Sequence, residues 1–174
     1  MRNKIKNMKK IISGLFLALA LSVSTPVSAE LIDTFRDWSA FVEAEGANKV
    51  CFMASAPKKS KGKYTKRGDV NFMVTHRLSE KTRNVVNMDA GYAFRKDSEV
   101  TVTIASREFR MFTDGGFAWA YDSKTDQALV KAMRAGSKMV VRGVSSRGTK
   151  TTDIYSLSGF IAAHNAINKA CGVK

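Results

Sequence analysis

Few residues in this chain are of a type that does chemistry. There are two histidines, His76 and His164, two cysteines, Cys51 and Cys171, and 29 Lys and Arg against 15 Asp and Glu. Histidine moves protons or ligates metals near neutral pH. Neither histidine has a second His or Cys at ligand spacing, so no metal site is expected. The Gly-x-Ser-x-Gly turn of an α/β serine hydrolase is missing, and Ser156-Leu157-Ser158-Gly159 reads instead as the start of a helix. His164 with Asp153 and a nearby serine makes only a formal triad, because separation along the chain carries no geometry. A glycosidase needs two poised carboxylates, and the scattered acids single out no pair. No phosphate-binding or dinucleotide glycine motif occurs. The expectation is a non-enzymatic protein with no catalytic residue and no cofactor.

What the chain does concentrate is positive charge. Lys58, Lys59, Lys61, Lys63, Lys66 and Arg67 fall between Pro57 and Gly68, with Tyr64 as the one aromatic among them. Like charges this dense repel one another and favour a solvated, mobile loop. Arg142, Arg147 and Lys150, around the turn Ser145-Ser146-Arg147-Gly148, form a second group. If both loops lie at one end of the domain they make an anion-binding rim; at opposite ends they serve solubility alone.

The N-terminus sets the compartment. Arg2, Lys4, Lys6, Lys9 and Lys10 precede an apolar run from Ile11 to Val23, and Val27-Ser28-Ala29 has the small-x-small form of a cleavage site. Residues 1–29 are therefore expected to be a signal peptide. The apolar run is shorter than the roughly 20 residues a membrane span needs, so no transmembrane span is expected in the mature form. Residues 30–174 are expected to fold as a single domain, a length suited to one hydrophobic core. The leader holds five of the cations, which leaves 24 Lys and Arg against 15 acids and a mature net charge of +9. Export to the periplasm, or on to the outer membrane or medium, disfavours nucleic acid as a partner. An anionic envelope polymer, a lipid surface or a protein becomes the expected one. In an oxidising compartment two cysteines read most simply as one disulfide, Cys51–Cys171, with a pair of buried free thiols as the rival reading.

The elements that would position these residues are mostly short strands. Glu30 to Arg36 reads as a lead-in, and Trp38 to Val42 and Lys49 to Ser55 as a hairpin around Glu45–Asn48. Val70 to Arg77, the stretch from Arg83, and the β-branched Val100–Ile104 follow as strands. Asp114-Gly115-Gly116 signals a hairpin into Phe117–Tyr121, whose period-two aromatics are expected on the core face. Asp122 or Ser123 is expected to cap a helix running to Ala135, with Gly136 as its stop. Strands at Met139–Val144 and Thr149–Tyr155 precede a C-terminal helix within Tyr155–Cys171, capped by Ser156 or Ser158 and burying Leu157, Phe160, Ile161, His164, Ile167 and Cys171. The fold class is mostly β: sandwich-like antiparallel sheets with one mid-chain helix and one C-terminal helix.

Three stretches resemble a known family. They are Asp37-Trp38 with Lys49-Val50-Cys51-Phe52, the run Ala132 to Gly143, and Ser146-Arg147-Gly148-Thr149-Lys150-Thr151-Thr152-Asp153-Ile154-Tyr155-Ser156-Leu157-Ser158-Gly159-Phe160. They are similar to the invasion-associated locus B family of exported alphaproteobacterial proteins, in its shorter, two-cysteine form. The resemblance covers essentially the mature chain. It implies a periplasmic or surface-associated protein and, in some members, a part in host-cell entry. It brings no catalytic residues with it.

Overall fold

The computed structural model describes residues 29–173; the expected signal peptide lies outside them, apart from Ala29. In chain order the elements are β1 (Glu30–Phe35), β2 (Trp38–Glu45), β3 (Asn48–Ser55), β4 (Lys59–Lys61), β5 (Asn71–Arg77), β6 (Thr82–Asp89), β7 (Glu99–Ile104), β8 (Arg107–Asp114), β9 (Phe117–Ala120), α1 (Ser123–Ala135), β10 (Lys138–Val144), β11 (Lys150–Ser156) and α2 (Phe160–Ala170). The strands make one antiparallel sheet in the order β1-β2-β3-β5-β6-β9-β8-β7-β10-β11-β4.

A sheet this wide coils, and its two halves face each other as a sandwich. Trp38 Nε1 on β2 donates to the Ser156 carbonyl on β11 at 3.0 Å, joining strands far apart in the sheet order. Phe72 of β5 and Tyr155 of β11 meet edge to face at 5.7 Å inside the sandwich. Each half contributes its alternate residues to one continuous core, Trp38, Met53, Val74 and Met88 from the first, Val102, Met111, Met139 and Val141 from the second.

The two helices finish the core. Asp122 caps α1 by accepting from the Thr125 N–H at 2.7 Å, and Leu129, Val130, Ala132 and Met133 are buried beneath it. Asp126, also buried, accepts the Val86 N–H at 2.8 Å, where β9 pairs only as far as Asn87. The Cys51–Cys171 disulfide is present, with 6.0 Å between the Cα atoms, and ties the end of α2 to β3.

Four expectations need correction. The lead-in is a strand: β1 pairs with β2 from Glu30↔Val42 to Phe35↔Trp38. The basic loop is not wholly free, because β4 pairs with β11 and supplies hydrogen bonds that its edge backbone would otherwise lack. The aromatics of β9 and Tyr121 just beyond it point outward: Phe117 and Tyr121 are 40% and 54% exposed, whereas Ala118 is fully buried. Cross-strand partners share a face, and Ala118 and Ala120 sit opposite Met88 and Met111, whose long side chains fill the interior in front of the alanines. The terminal helix begins at Phe160 with Gly159, not a serine, at its N-cap. Gly159 has φ +92°, and a Cβ there would run into the Phe35 carbonyl, so only glycine fits the bend from β11 into α2. Starting the helix there leaves Ile161 on the solvent side and Leu157 buried ahead of the helix.

Candidate anion-binding cleft

β11 alternates strictly, with Thr151, Asp153 and Tyr155 inside and Thr152 and Ile154 less buried on the other face. This parity buries a carboxylate, and a buried charge must be paired. Its partner is Arg67, whose Nη1 and Nη2 donate to the two Asp153 oxygens at 2.7 Å each. Arg67 Nε donates to the Ala90 carbonyl at 2.7 Å. Both side chains are nearly inaccessible, 5% and 2% exposed. Burial alone would lower the guanidinium's pKa, but the hydrogen bonds and charge of Asp153 hold it above its ordinary value. Arg67 is thus removed from the set of solvent-facing cations in which the sequence pattern places it.

The guanidinium carbon lies over two aromatic rings, 4.9 Å from the centroid of Tyr92 and 5.6 Å from that of Tyr64. Tyr92 is fixed in turn by a 2.6 Å hydrogen bond between its hydroxyl and Thr151 Oγ1. Burial pushes the Tyr92 hydroxyl above its usual pKa, with the Thr151 bond working against it. Gly68 N–H donates to Gly91 O at 2.9 Å, and Gly91, at φ +67°, lies so close that a Cβ would strike the Gly68 carbonyl. These contacts hold residues 64–68 against the body of the sandwich.

These residues belong to a cleft of about 610 Å³, lined by Lys63, Tyr64, Thr65, Lys66 and Arg67 from the lysine loop and by Tyr92, Ser145, Ser146, Arg147, Thr149 and Thr151 from later in the chain. The Arg147 turn is well held: Ser146 N–H donates to Ala93 O at 2.8 Å, and Thr149 N–H to Ser145 Oγ at 3.1 Å. An adjoining recess is lined by Gly62, Lys63, Arg147, Gly148, Thr149 and Lys150. Lys63 and Lys66 of one basic group and Arg147 and Lys150 of the other, some eighty residues apart in sequence, therefore share one surface.

Other cations extend or leave this surface. The register Arg142↔Thr152↔Lys61 sets Arg142 and Lys61 on either side of Thr152, and Lys59 pairs with Ile154 one step along. Arg142 reaches Thr103 Oγ1 at 3.3 Å and does not line the cleft. Lys58 pairs with Asp37 at 2.8 Å and also lies outside it. Tyr64, Tyr92, Asp153 and the five Ser and Thr residues of the lining are functional candidates that charge counting misses. The Thr-x-Asp-x-Tyr alternation ahead of a helix was the available signal, since it forces an acid inward.

A second buried polar cluster joins the histidines. His76 on β5 is the cross-strand partner of Cys51, and its ring lies 5.9 Å from that of His164 on α2. His76 Nδ1 accepts the Asn84 N–H at 3.0 Å, which leaves Nε2–H to donate to Asn168 Oδ1 at 2.7 Å. His164 Nδ1 accepts from Arg134 at 3.0 Å, which leaves Nε2–H for Asn84 Oδ1 at 2.8 Å. Asn84 holds both rings from a left-handed backbone, φ +57°, that asparagine tolerates better than most residues. Burial, then the Arg134 charge and His76, depress the His164 pKa to about 4. Burial lowers that of His76, opposed by the Asn168 bond and assisted by Arg83. Both rings are neutral Nε2–H tautomers with every ring nitrogen engaged. His164 and Asp153 are committed to different partners, so the formal triad is not assembled. Among the described residues no group of His, Cys, Asp and Glu is arranged to hold a metal ion.

Fold and site together define a disulfide-closed antiparallel β-sandwich with a cationic cleft on one surface and a helical clasp on its core. The chain belongs to the Invasion associated locus B (IalB) protein family, whose profile matches residues 38–168. No curated protein and no solved structure gives a significant match. No helix among the described residues is long and apolar enough to cross a membrane, which, with the disulfide and the family, is compatible with export.

Proposed function

We propose that this is an exported, non-enzymatic binding protein of the periplasm or cell surface that takes an anionic envelope component in the cleft between its two basic loops. The observation that carries this reading is the convergence of Lys63 and Lys66 with Arg147 on one cleft. A rim of one sign over low-dielectric walls concentrates counter-ions and raises encounter rates. The Arg147 turn is held by hydrogen bonds and the lysine loop is anchored at Arg67 and Gly68, which reduces the ordering cost of binding. The test is titration of residues 30–174 with anionic envelope polysaccharide and anionic lipid at low and high salt. Binding is expected to weaken as salt rises and to fall at least tenfold when Lys63, Lys66 and Arg147 are changed together to Gln, the loss of about 1.4 kcal/mol. Salt-insensitive binding, or binding unchanged in the triple variant, removes the reading.

A second reading, a protein-facing role at a host surface, draws on the exposed Phe112, Phe117 and Tyr121 of the outer sheet face and on the family's description. Cell fractionation tests it: recovery solely as soluble periplasmic protein counts against it.

A further inference from the structure

The floor and rim of the cleft differ in character, and that difference bears on what fills it. Small anions such as phosphate are held where charge-bearing donors converge on one point. Here the most buried cation, Arg67, spends its charge on Asp153, and its guanidinium lies over the rings of Tyr64 and Tyr92. The floor is therefore a neutral aromatic surface, with Tyr64 still 37% exposed. Beside it stand hydroxyls that both donate and accept, on Thr65, Ser146 and Thr149, while those of Ser145 and Thr151 are buried and already bonded within the protein. Free charge appears only at the rim, on Lys63, Lys66 and Arg147.

A sugar ring has the matching chemistry. Its C–H face lies against an aromatic ring, its hydroxyls bond side-chain hydroxyls, and an acidic substituent projects from the edge towards the rim. The cleft's 610 Å³ exceeds the need of a single inorganic ion and falls in the usual range of organic ligand sites, about 300–1,000 Å³. Gly62 serves this arrangement: a Cβ there would meet the Tyr64 ring at 2.8 Å and the Lys150 carbonyl at 3.1 Å.

Nor do the cations stop at the mouth. From Lys63 the charges run back along the sheet edge as Lys61 and Lys59, about 7 Å apart along the strand, with Arg142 across Thr152 and Lys150 in the adjoining recess. Single charges spaced along an edge suit a chain that carries one acid per unit better than one compact anion. A lipid headgroup layer would need a flat approach, whereas this floor is recessed between two loops.

We propose that the ligand of the cleft is a linear acidic glycan, seated with one ring against Tyr64 and with its acidic groups on Lys63, Lys66 and Arg147, its chain continuing along the Lys61–Lys59 edge. This rests on the anion-binding reading of the cleft and goes further by naming the ligand class.

The experiment is calorimetric titration of residues 30–174 in the disulfide form with polygalacturonate and its short oligomers, as a model polyuronate. Dextran, inorganic phosphate, phosphatidylglycerol vesicles and a single-stranded oligonucleotide form the comparison set. The oligouronate is expected to bind at least about tenfold more tightly than phosphate, and dextran not to bind. Tyr64→Ala is expected to weaken the oligouronate by about tenfold, and Tyr64→Phe, which keeps the ring, by little. Melting curves of each variant separate lost binding from lost folding. If phosphate, vesicles or oligonucleotide bind as tightly as the uronate, and the rim variants abolish this, the cleft binds anions but the glycan assignment fails. Uronate binding that ignores Tyr64→Ala overturns the seated ring. If no anion binds, both readings fall.

Discussion

Arg67–Asp153 under the cleft and His76–His164 under α2 solve the same problem in opposite ways. Both lie in the core of one sandwich, and both fasten a segment that strand pairing alone would leave loose. At the cleft the fastening is a full ion pair with three short hydrogen bonds from one guanidinium. At α2 it is two neutral rings bridged by Asn84 and Asn168, with a guanidinium donating from Arg134 at the edge. A buried ion pair fails when one member is removed, because the other is left charged and unpaired. A buried neutral network fails when a proton arrives, because no acceptor is spare and Arg134 and Arg83 repel the new charge. Substitution is thus the lever on one cluster and acid the lever on the other.

The covalent tie at the α2 end gives the largest expected effect. Cys51→Ser with Cys171→Ser should cost about 4–5 kcal/mol in the chain-entropy model, because the cross-link spans 120 residues. Urea denaturation compared with the oxidised wild type measures it. A loss under 1 kcal/mol would mean that the histidine network alone secures α2.

At the cleft, Asp153→Ala is expected to cost about 3–5 kcal/mol and to leave Arg67 an uncompensated buried charge. The double variant Arg67→Met with Asp153→Leu should recover most of that loss. If the single and double variants are equally unstable, packing and not charge holds the segment.

Acid gives the smallest effect and separates the clusters. The folded pKa of His164 lies below its unfolded value of about 6.5, so the unfolded chain binds the extra proton first. The stability carried by neutral His164 is full above about 6.5 and is lost as pH falls towards 4, by about 2 kcal/mol at pH 5. His76 acts in the same direction. Asp126 opposes it: burial raises its carboxyl to about 6, so its contribution is present at low pH and is lost as pH rises through 6. Stability of wild type, His164→Gln and Asp126→Asn between pH 7.5 and 5.0 measures both. His164→Gln should flatten the decline and Asp126→Asn should steepen it. A wild type whose stability does not change over this range would contradict the neutral-ring description unless Asp126→Asn exposes the slope.

Local signals in the chain read correctly where the backbone itself enforces them. Asp122 and Gly136 bound α1, Asp114-Gly115-Gly116 turns the β8–β9 hairpin, and Val100 to Ile104 pairs on both sides as an alternating strand. The cationic clusters were legible as clusters. Their shared cleft was not, because nothing local to Lys63 or Arg147 records the course of the sheet between them. The outward aromatics of β9 show a similar limit: period two specifies two faces, and the neighbouring methionines choose between them.

By itself, then, the order of residues determined the mostly β composition of the domain, the two helices, the spacing of charges and the presence of two cysteines, since each follows from propensity, capping or counting. Only the tertiary structure decided which charges are free. Arg67 is indistinguishable from Lys66 in a list of cations, yet folding buries one against Asp153 and leaves the other at the rim. It also brought His76 to His164 and Lys63 to Arg147. Desolvation and pairing are properties of a place in space, and that place exists once the sheet has coiled.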